Sequence, residues 1–353
     1  MHSFYSLRGK LTYLSVALLG LLLATPAAAQ APFDPPGLDR AVAAQALHTN
    51  RLLLTDGVVG TGVGVNARGR AAIVIMTEDL WVTGLPRSLD GVPVVVRVTG
   101  AFHAINKPDA NGNHNHGNDT TTEIDPTSRF DRPVPIGVST GNTTSCSAGT
   151  IGARVTDGTD VYALSNNHVY ALENTAALGD KIVQPGVFDT NCNQDTANII
   201  STLASFAPIL FDGSDNTIDA AIALTDTSTL GNATPSDGYG TPSSMTADPI
   251  ACLNKRVQKY GRTTSLTKGS VFAINATVDI GYQEGVARFV HQIVVDGGKG
   301  GFILPGDSGA LLVLQRGQNP CGLLFAGTST GKYGIANRID DVLFEFGVEI
   351  DGN

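Results

Sequence analysis

The stretch LPGDSGALL, residues 304–312, sets Ser308 between two glycines, with Asp307 directly before it. A serine hydroxyl is a weak nucleophile at neutral pH. It needs a base to take its proton, an acid to orient that base, and donors where an oxyanion would form. Glycine at 306 lets the loop take a conformation that side chains obstruct, so that the N–H groups of Gly306 and Ser308 can converge on one point. A lone G-x-S-G would mean little without the other parts.

Candidates for the base are few: His48, His103, His114, His116, His168 and His291. His168 lies in YALSNNHVYAL, where a strand-like run from Val161 to Leu164 enters a polar break, a position suited to facing a cleft. Taken alone it reads more readily as a structural histidine at a turn. His291 alternates with Phe289 and Ile293 inside a strand-like run and reads as structural. For the acid, Asp219 in NTIDAAIAL is enclosed by Ile218, Ala220, Ala221, Ile222 and Ala223. A buried carboxylate there requires a hydrogen-bonding partner, and a histidine N–H is one. A strand-end Asp facing water fits that residue as well. Order and spacing separate these readings. His168, Asp219 and Ser308 follow one another at separations of 51 and 89 residues, against about 45 and about 93 in a His-Asp-Ser triad of the chymotrypsin type.

The elements that would position these residues are mostly strands. From Val134 onward AGTIGARVTD, DVYALSNNH, TIDAAIAL, KRVQKY, GSVFAINATVDI, ARFVHQIVV, GALLVLQR, CGLLFAGTS and YGIANRI are separated by Gly, Asp, Asn and Ser clusters. Short strands at that spacing predict an antiparallel barrel or sandwich. IDDVLFEFGVEI predicts a short terminal helix capped by Asp340 or Asp341, with Leu343, Phe344 and Phe346 apolar and Gly347 as its stop.

The first third has a different layout. Residues 1–29 carry Arg8 and Lys10, an apolar run from Leu14 to Ala24, and small residues Ala27, Ala28 and Ala29. That is the layout of a secretory signal peptide, cleaved after Ala29 and too short for a membrane span. Residues 35–104 read as a small α+β domain. Leu38, Ala41, Val42, Ala46 and Leu53 lie at helical spacing, and GVVGTGVGVN, RAAIVIMT and GVPVVVRVTG follow as strands. Gly60, Gly62 and Gly64 are not a dinucleotide fingerprint, because more strand follows them rather than a helix. Residues 105–133 turn polar and read as a linker or exposed loop. His114 and His116 beside Asp109 and Asp119 are expected to face solvent, with no metal bound.

Four cysteines, Cys146, Cys192, Cys252 and Cys321, lack metal or redox spacing and predict two disulfides in an exported chain. Three pairings are open, and Cys146–Cys192 with Cys252–Cys321 is preferred. A net charge of −9 argues against a nucleic-acid partner, which calls for a basic stripe.

GDSG at 306–309, a histidine after a short strand and an Asp inside an apolar strand resemble the chymotrypsin-like serine proteases. In finer detail, ALSNNHVYA at 163–171, NTIDAAIA at 216–223, VQKYGRTT at 257–264 and LLFAGTST at 323–330 are similar to the plant narrow-leaf-type trypsin-like proteases and their bacterial relatives. The resemblance spans about residues 134–350 and extends to the small N-terminal unit. It implies a mainly β fold, a chymotrypsin-like double β-barrel over 134–353 preceded by the small α+β domain, with the active site between the barrels. It implies His168 and Asp219 from the first barrel and Ser308 from the second. Phe302, six residues before the serine, would sit near the base of the S1 pocket and would not select Arg or Lys. Gly327, Thr328 and Ser329 would form the wall on which substrate backbone pairs.

Two departures stand out: Ser165, Asn166, Asn167 and Val169 replace the family's usual small-residue and cysteine surroundings of the histidine, and Ala310 replaces a second glycine. Asp307 raises another question, because in activated digestive proteases the matching residue pairs with a freed N-terminus. Either the site forms without that pair, the favoured expectation, or cleavage within 106–132 releases one. The expected protein is a secreted or periplasmic serine endopeptidase acting on protein or peptide substrates, without cofactor, and able to form a homo-oligomer through its N-terminal domain. A non-catalytic binding or assembly module and an esterase with the same triad are the alternatives.

Overall fold

The computed structural model describes residues 35–105 and 124–353. The expected signal peptide and the segment holding Asp109, His114, His116 and Asp119 lie outside the described residues. The described residues cluster as one compact unit.

The chain begins with helix α1 (Leu38–Leu53), followed by strands β1 (Val58–Val65), β2 (Ala71–Thr77), β3 (Ser88–Leu89), β4 (Val92–Val98) and β5 (Phe102–Ala104). The buried stripe of α1 is Leu38, Ala41, Ala44, Gln45, Thr49 and Leu52. Ala46 is exposed, a correction to the periodicity drawn from sequence. The polar members of the stripe are satisfied internally: Gln45 Nε2 donates to Thr61 Oγ1 at 3.0 Å, and Thr49 Oγ1 to the Gln45 carbonyl at 2.7 Å. That pairing lets Gln45 and Thr49 sit among apolar neighbours without an unpaired donor or acceptor.

Next come β6 (Ser139–Asn142), β7 (Gly149–Thr150), β8 (Ala153–Thr156), β9 (Val161–Ser165), the helical turn α2 (Asn167–Tyr170), β10 (Lys181–Val183), β11 (Ile199–Phe206), β12 (Asp215–Asn216) and β13 (Ala221–Thr225). One sheet runs β20-β8-β9-β13-β11-β10-β6-β7, with β20 (Glu349–Ile350) at its edge. The chain bends between β7 and β8, where Gly137 N–H donates to the Ile151 carbonyl at 2.6 Å and Ile151 N–H to Val138 at 3.0 Å. Those bonds curl the sheet back on itself around Val138, Ile151, Ala163, Ile182, Leu203 and Ala221.

The turn α3 (Pro249–Cys252) leads to β14 (Arg256–Gly261), β15 (Ser265–Gly281), β16 (Val286–Asp296), β17 (Leu311–Leu314), β18 (Pro320–Thr328), β19 (Tyr333–Arg338) and α4 (Ile339–Phe346). The order β14-β15-β16-β19-β18-β17 returns to β14 through its pairing with β17, so six strands close a barrel. Closure leaves those strands without a free edge. The mainly β, double-barrel class expected from sequence is therefore the class observed. Along its second half β15 also pairs antiparallel with β1, Gly60 facing Val278, so the N-terminal strands continue the second barrel's sheet. β4 lies parallel to β2.

Helix α4 is capped at Arg338, not at Asp340 or Asp341, which occupy its first turn; Gly347 ends it at φ 62°. Phe344 is exposed, whereas Leu343 and Phe346 pack against the core. Both preferred disulfides form, Cys146–Cys192 and Cys252–Cys321.

Candidate active site

His168 sits on α2, immediately after β9 ends at Ser165. The sequence places it there because Asn166 and Asn167 interrupt the strand and their side chains take over backbone partners. Asn166 Nδ2 donates to the Asp219 carbonyl at 2.7 Å, and Asn167 Nδ2 to the Ala207 carbonyl at 2.7 Å. His168 Nδ1 lies 2.5 Å from Asp219 Oδ2, and the His168 N–H donates to Oδ1 at 3.2 Å. Both side chains are fully buried. Nε2 of His168 has no hydrogen-bond partner among the described residues. His168 is also among the residues that line a cleft of about 280 Å³, with Thr144, Ser145, Leu172, Glu173 and Gln283.

Asp219 is held on every side. Its backbone N–H donates to Asn337 Oδ1 at 3.1 Å, and Asn337 Nδ2 returns a bond to its carbonyl at 2.9 Å. Tyr282, from the β15–β16 turn, donates its hydroxyl to Oδ2 at 2.9 Å. Burial, reinforced by the Asp219 charge, pushes the Tyr282 phenol well above its ordinary value of 10.0, so it stays a donor. The apolar flank of Asp219 fitted a buried carboxylate and a water-facing one alike, and the structure buries it. Neither Tyr282 nor Asn337 was singled out from sequence, since each meets Asp219 only through long-range pairing.

Ser308 lies in the loop between the second barrel's strands, fully buried. Its Oγ is 3.3 Å from the carbonyl oxygens of Ile105 and Phe325, which share its one hydroxyl proton. The Gly306 N–H also donates to the Ile105 carbonyl, at 3.2 Å. Gly306 has φ 101°, and a Cβ there would lie 2.4 Å from Thr263 Oγ1, so only glycine fits. Thr150 of the first barrel ties the loop across: its Oγ1 donates to the Gly306 carbonyl at 2.8 Å, and its N–H to the Ser308 carbonyl at 2.7 Å.

Asp307 finds its partner inside the fold. Lys259 Nζ lies 3.2 Å from Oδ2, with both side chains unexposed. Oδ1 accepts the N–H groups of Thr263 at 2.8 Å and Thr264 at 3.1 Å, while Oδ2 accepts the Leu304 N–H at 3.0 Å and the Thr264 hydroxyl at 2.7 Å. Burial lowers the Lys259 pKa, opposed by the carboxylate's attraction. In β14 the alternation of Val257 and Lys259 points the lysine inward, a signal present in the sequence but not drawn. Beside this pair, Arg262 Nε bonds Asp189 Oδ2 at 3.0 Å and Ser139 Oγ bonds the same oxygen at 2.5 Å, joining the barrels again.

Phe302 is buried among Ile303, Ile105 and Val257. Gly327 and Thr328 end β18 and pair with β5, whereas Ser329 lies exposed in the turn beyond the strand. His291 is exposed at a positive φ of 63°, near a register shift between β15 and β16.

A family model described as the Nal1 C-terminal domain matches residues 215–346. No curated protein matches the sequence. Similar solved structures include Thermobifida fusca Protease A, at 18% identity over 62% of this chain and 100% of that one, with a TM-score of 0.44. A glutamic acid specific serine protease described as using a histidine triad in substrate binding gives 21% identity, the same coverage and a TM-score of 0.44. Cellulomonas bogoriensis chymotrypsin gives 20% identity over 62% and 99%, with a TM-score of 0.42.

Proposed function

We propose that the chain is a secreted serine endopeptidase in which Ser308, His168 and Asp219 carry out acyl transfer. The observation that supports it most is the fully buried His168–Asp219 pair at 2.5 Å, whose second ring nitrogen has no hydrogen-bond partner among the described residues. A carboxylate on Nδ1 leaves Nε2 as the basic nitrogen and stabilises the imidazolium that forms when it takes a proton. Ser308 Oγ attacks the substrate carbonyl as His168 Nε2 removes its proton. The oxyanion is met by the Gly306 and Ser308 N–H groups. His168 then protonates the leaving amine, and water hydrolyses the acyl-enzyme by the same relay.

Secretion is supported by two disulfides, which persist in oxidising compartments. No helix among the described residues is long and apolar enough to cross a membrane. A homo-oligomer through the N-terminal layer is supported by exposed Leu47, Leu54, Leu80 and Trp81 and is tested by light scattering, where a monomeric mass would remove it. The activity is tested with a fluorophosphonate probe. Labelling of the wild type and not of Ser308→Ala supports the assignment, and equal labelling of both removes it.

A further inference from the structure

Strand β5 lies along the residues expected to bind substrate backbone. It pairs antiparallel with β18, Ala104 facing Ala326, His103 facing Gly327 and Phe102 facing Thr328, and parallel with β15 on its other side. An extended peptide added to that edge would make the same ladder. One residue further, the carbonyl oxygen of Ile105 receives the Gly306 N–H at 3.2 Å and lies 3.3 Å from Ser308 Oγ. A scissile carbonyl would be presented to the serine and the oxyanion donor at that point.

The side chains agree with the register. Ile105 is 7% exposed and packs with Phe302 and Ile303. A Cβ on Gly327 would stand 2.8 Å from Ile303 Cγ2 and 3.1 Å from the Tyr333 carbonyl oxygen, which keeps that position small, and 3.6 Å from Ile105 Cδ1, an ordinary contact that places the isoleucine beside Gly327. At the other end Phe102, 1% exposed, is anchored among Phe289, Phe325 and Tyr333. His103, between the anchors, faces solvent.

We propose that Phe102–Ile105 occupies the substrate cleft of this chain as a tethered, substrate-like strand. The cleft then takes extended polypeptide carrying a β-branched aliphatic residue where Ile105 sits, and the chain's own strand competes with that substrate. This rests on the protease reading and deepens it by naming the substrate class. A lysine or glutamate in the same seat would bury a charge against Phe302 and Ile303, a large penalty when no partner is present.

The test uses the full chain as wild type, Ile105→Gly and His103→Pro, with folding checked by circular dichroism. Two quantities are read: the rate of fluorophosphonate labelling, and hydrolysis of Phe-His-Ala-X p-nitroanilides with X as Ile, Val, Lys or Glu. Freeing the cleft should speed labelling at least about tenfold in both variants, since a short tether holds its ligand at millimolar effective concentration. Ile and Val substrates should exceed Lys and Glu by about 100-fold, the discrimination expected when a charge must enter an apolar seat. The side-chain preference is read on the wild type and needs no variant to fold. Labelling equally fast in wild type and folded variants, or Lys and Glu turned over as well as Ile, would overturn the inference while leaving the protease reading intact. Absence of labelling in all three would overturn both.

Discussion

Asp307 and Lys259 form an ion pair at 3.2 Å with neither side chain exposed. The carboxylate next to the candidate nucleophile is therefore anchored by β14 of its own barrel and by four further donors from the Thr263–Thr264 and Leu304 segments. No freed N-terminus is needed to hold it. Lys259→Met should cost about 3–5 kcal/mol, because it leaves a buried carboxylate without its cation. Lys259→Met combined with Asp307→Asn should recover much of that loss. Urea midpoints for the singles and the double check both statements, and an additive double mutant would show that the two residues do not act as a pair.

Tyr282 is expected to orient Asp219. Tyr282→Phe removes one charge-assisted bond, worth about 1.5–3 kcal/mol, and should lower kcat/KM by about tenfold or more with little change in KM. Its pH signature has a definite sign. The folded phenol lies above its unfolded value of 10.0, so above pH 10 the folded state holds a proton that the unfolded state releases. The associated stability is complete below that pH and is lost as pH rises through the folded value. The difference in unfolding free energy between wild type and Tyr282→Phe should therefore shrink above pH 10; a pH-independent difference would argue against the assignment.

Gly306→Ala places a methyl group 2.4 Å from Thr263 Oγ1 at φ 101°. Strain of about 1–3 kcal/mol is expected, together with loss of fluorophosphonate labelling from a misaligned donor. Normal labelling in a folded Gly306→Ala would mean that the Gly306 N–H is not used.

The disulfides should separate under mild reductant. Cys192 is exposed, while Cys252 and Cys321 are fully buried. Timed alkylation should trap Cys146 and Cys192 first. Each bridge closes a loop of 46 or 69 residues, which in the chain-entropy account stabilises by about 4 kcal/mol, so a lower denaturation midpoint should accompany the first reduction.

The sequence was most legible where a residue contradicted its neighbours. Asp219 in an alanine- and isoleucine-rich stretch that leads into β13, and His168 after two asparagines, stood out for that reason, and the structure brings them together. The long strands β15 and β16 were visible in GSVFAINATVDI and ARFVHQIVV. Strand β11, IISTLASF, passed unnoticed because Ser201, Thr202 and Ser205 break the apolar alternation, and its buried residues Ile200, Ser201 and Leu203 include a serine. The register of Phe102–Ile105 was beyond sequence reading altogether. Those residues read as the end of one unit and the start of a linker, and only their pairing with β18, more than 200 positions away, gives them a place in the cleft.

The central claim is that Ser308 is a nucleophile activated by His168. The most direct measurement is mass-spectrometric mapping of fluorophosphonate adducts on the wild type, His168→Ala and Ser308→Ala. The account predicts a single adduct on Ser308 in the wild type, slowed by a factor on the order of 1000 or more in His168→Ala and absent from Ser308→Ala. An adduct elsewhere, or one on Ser308 that forms equally fast without His168, would contradict it.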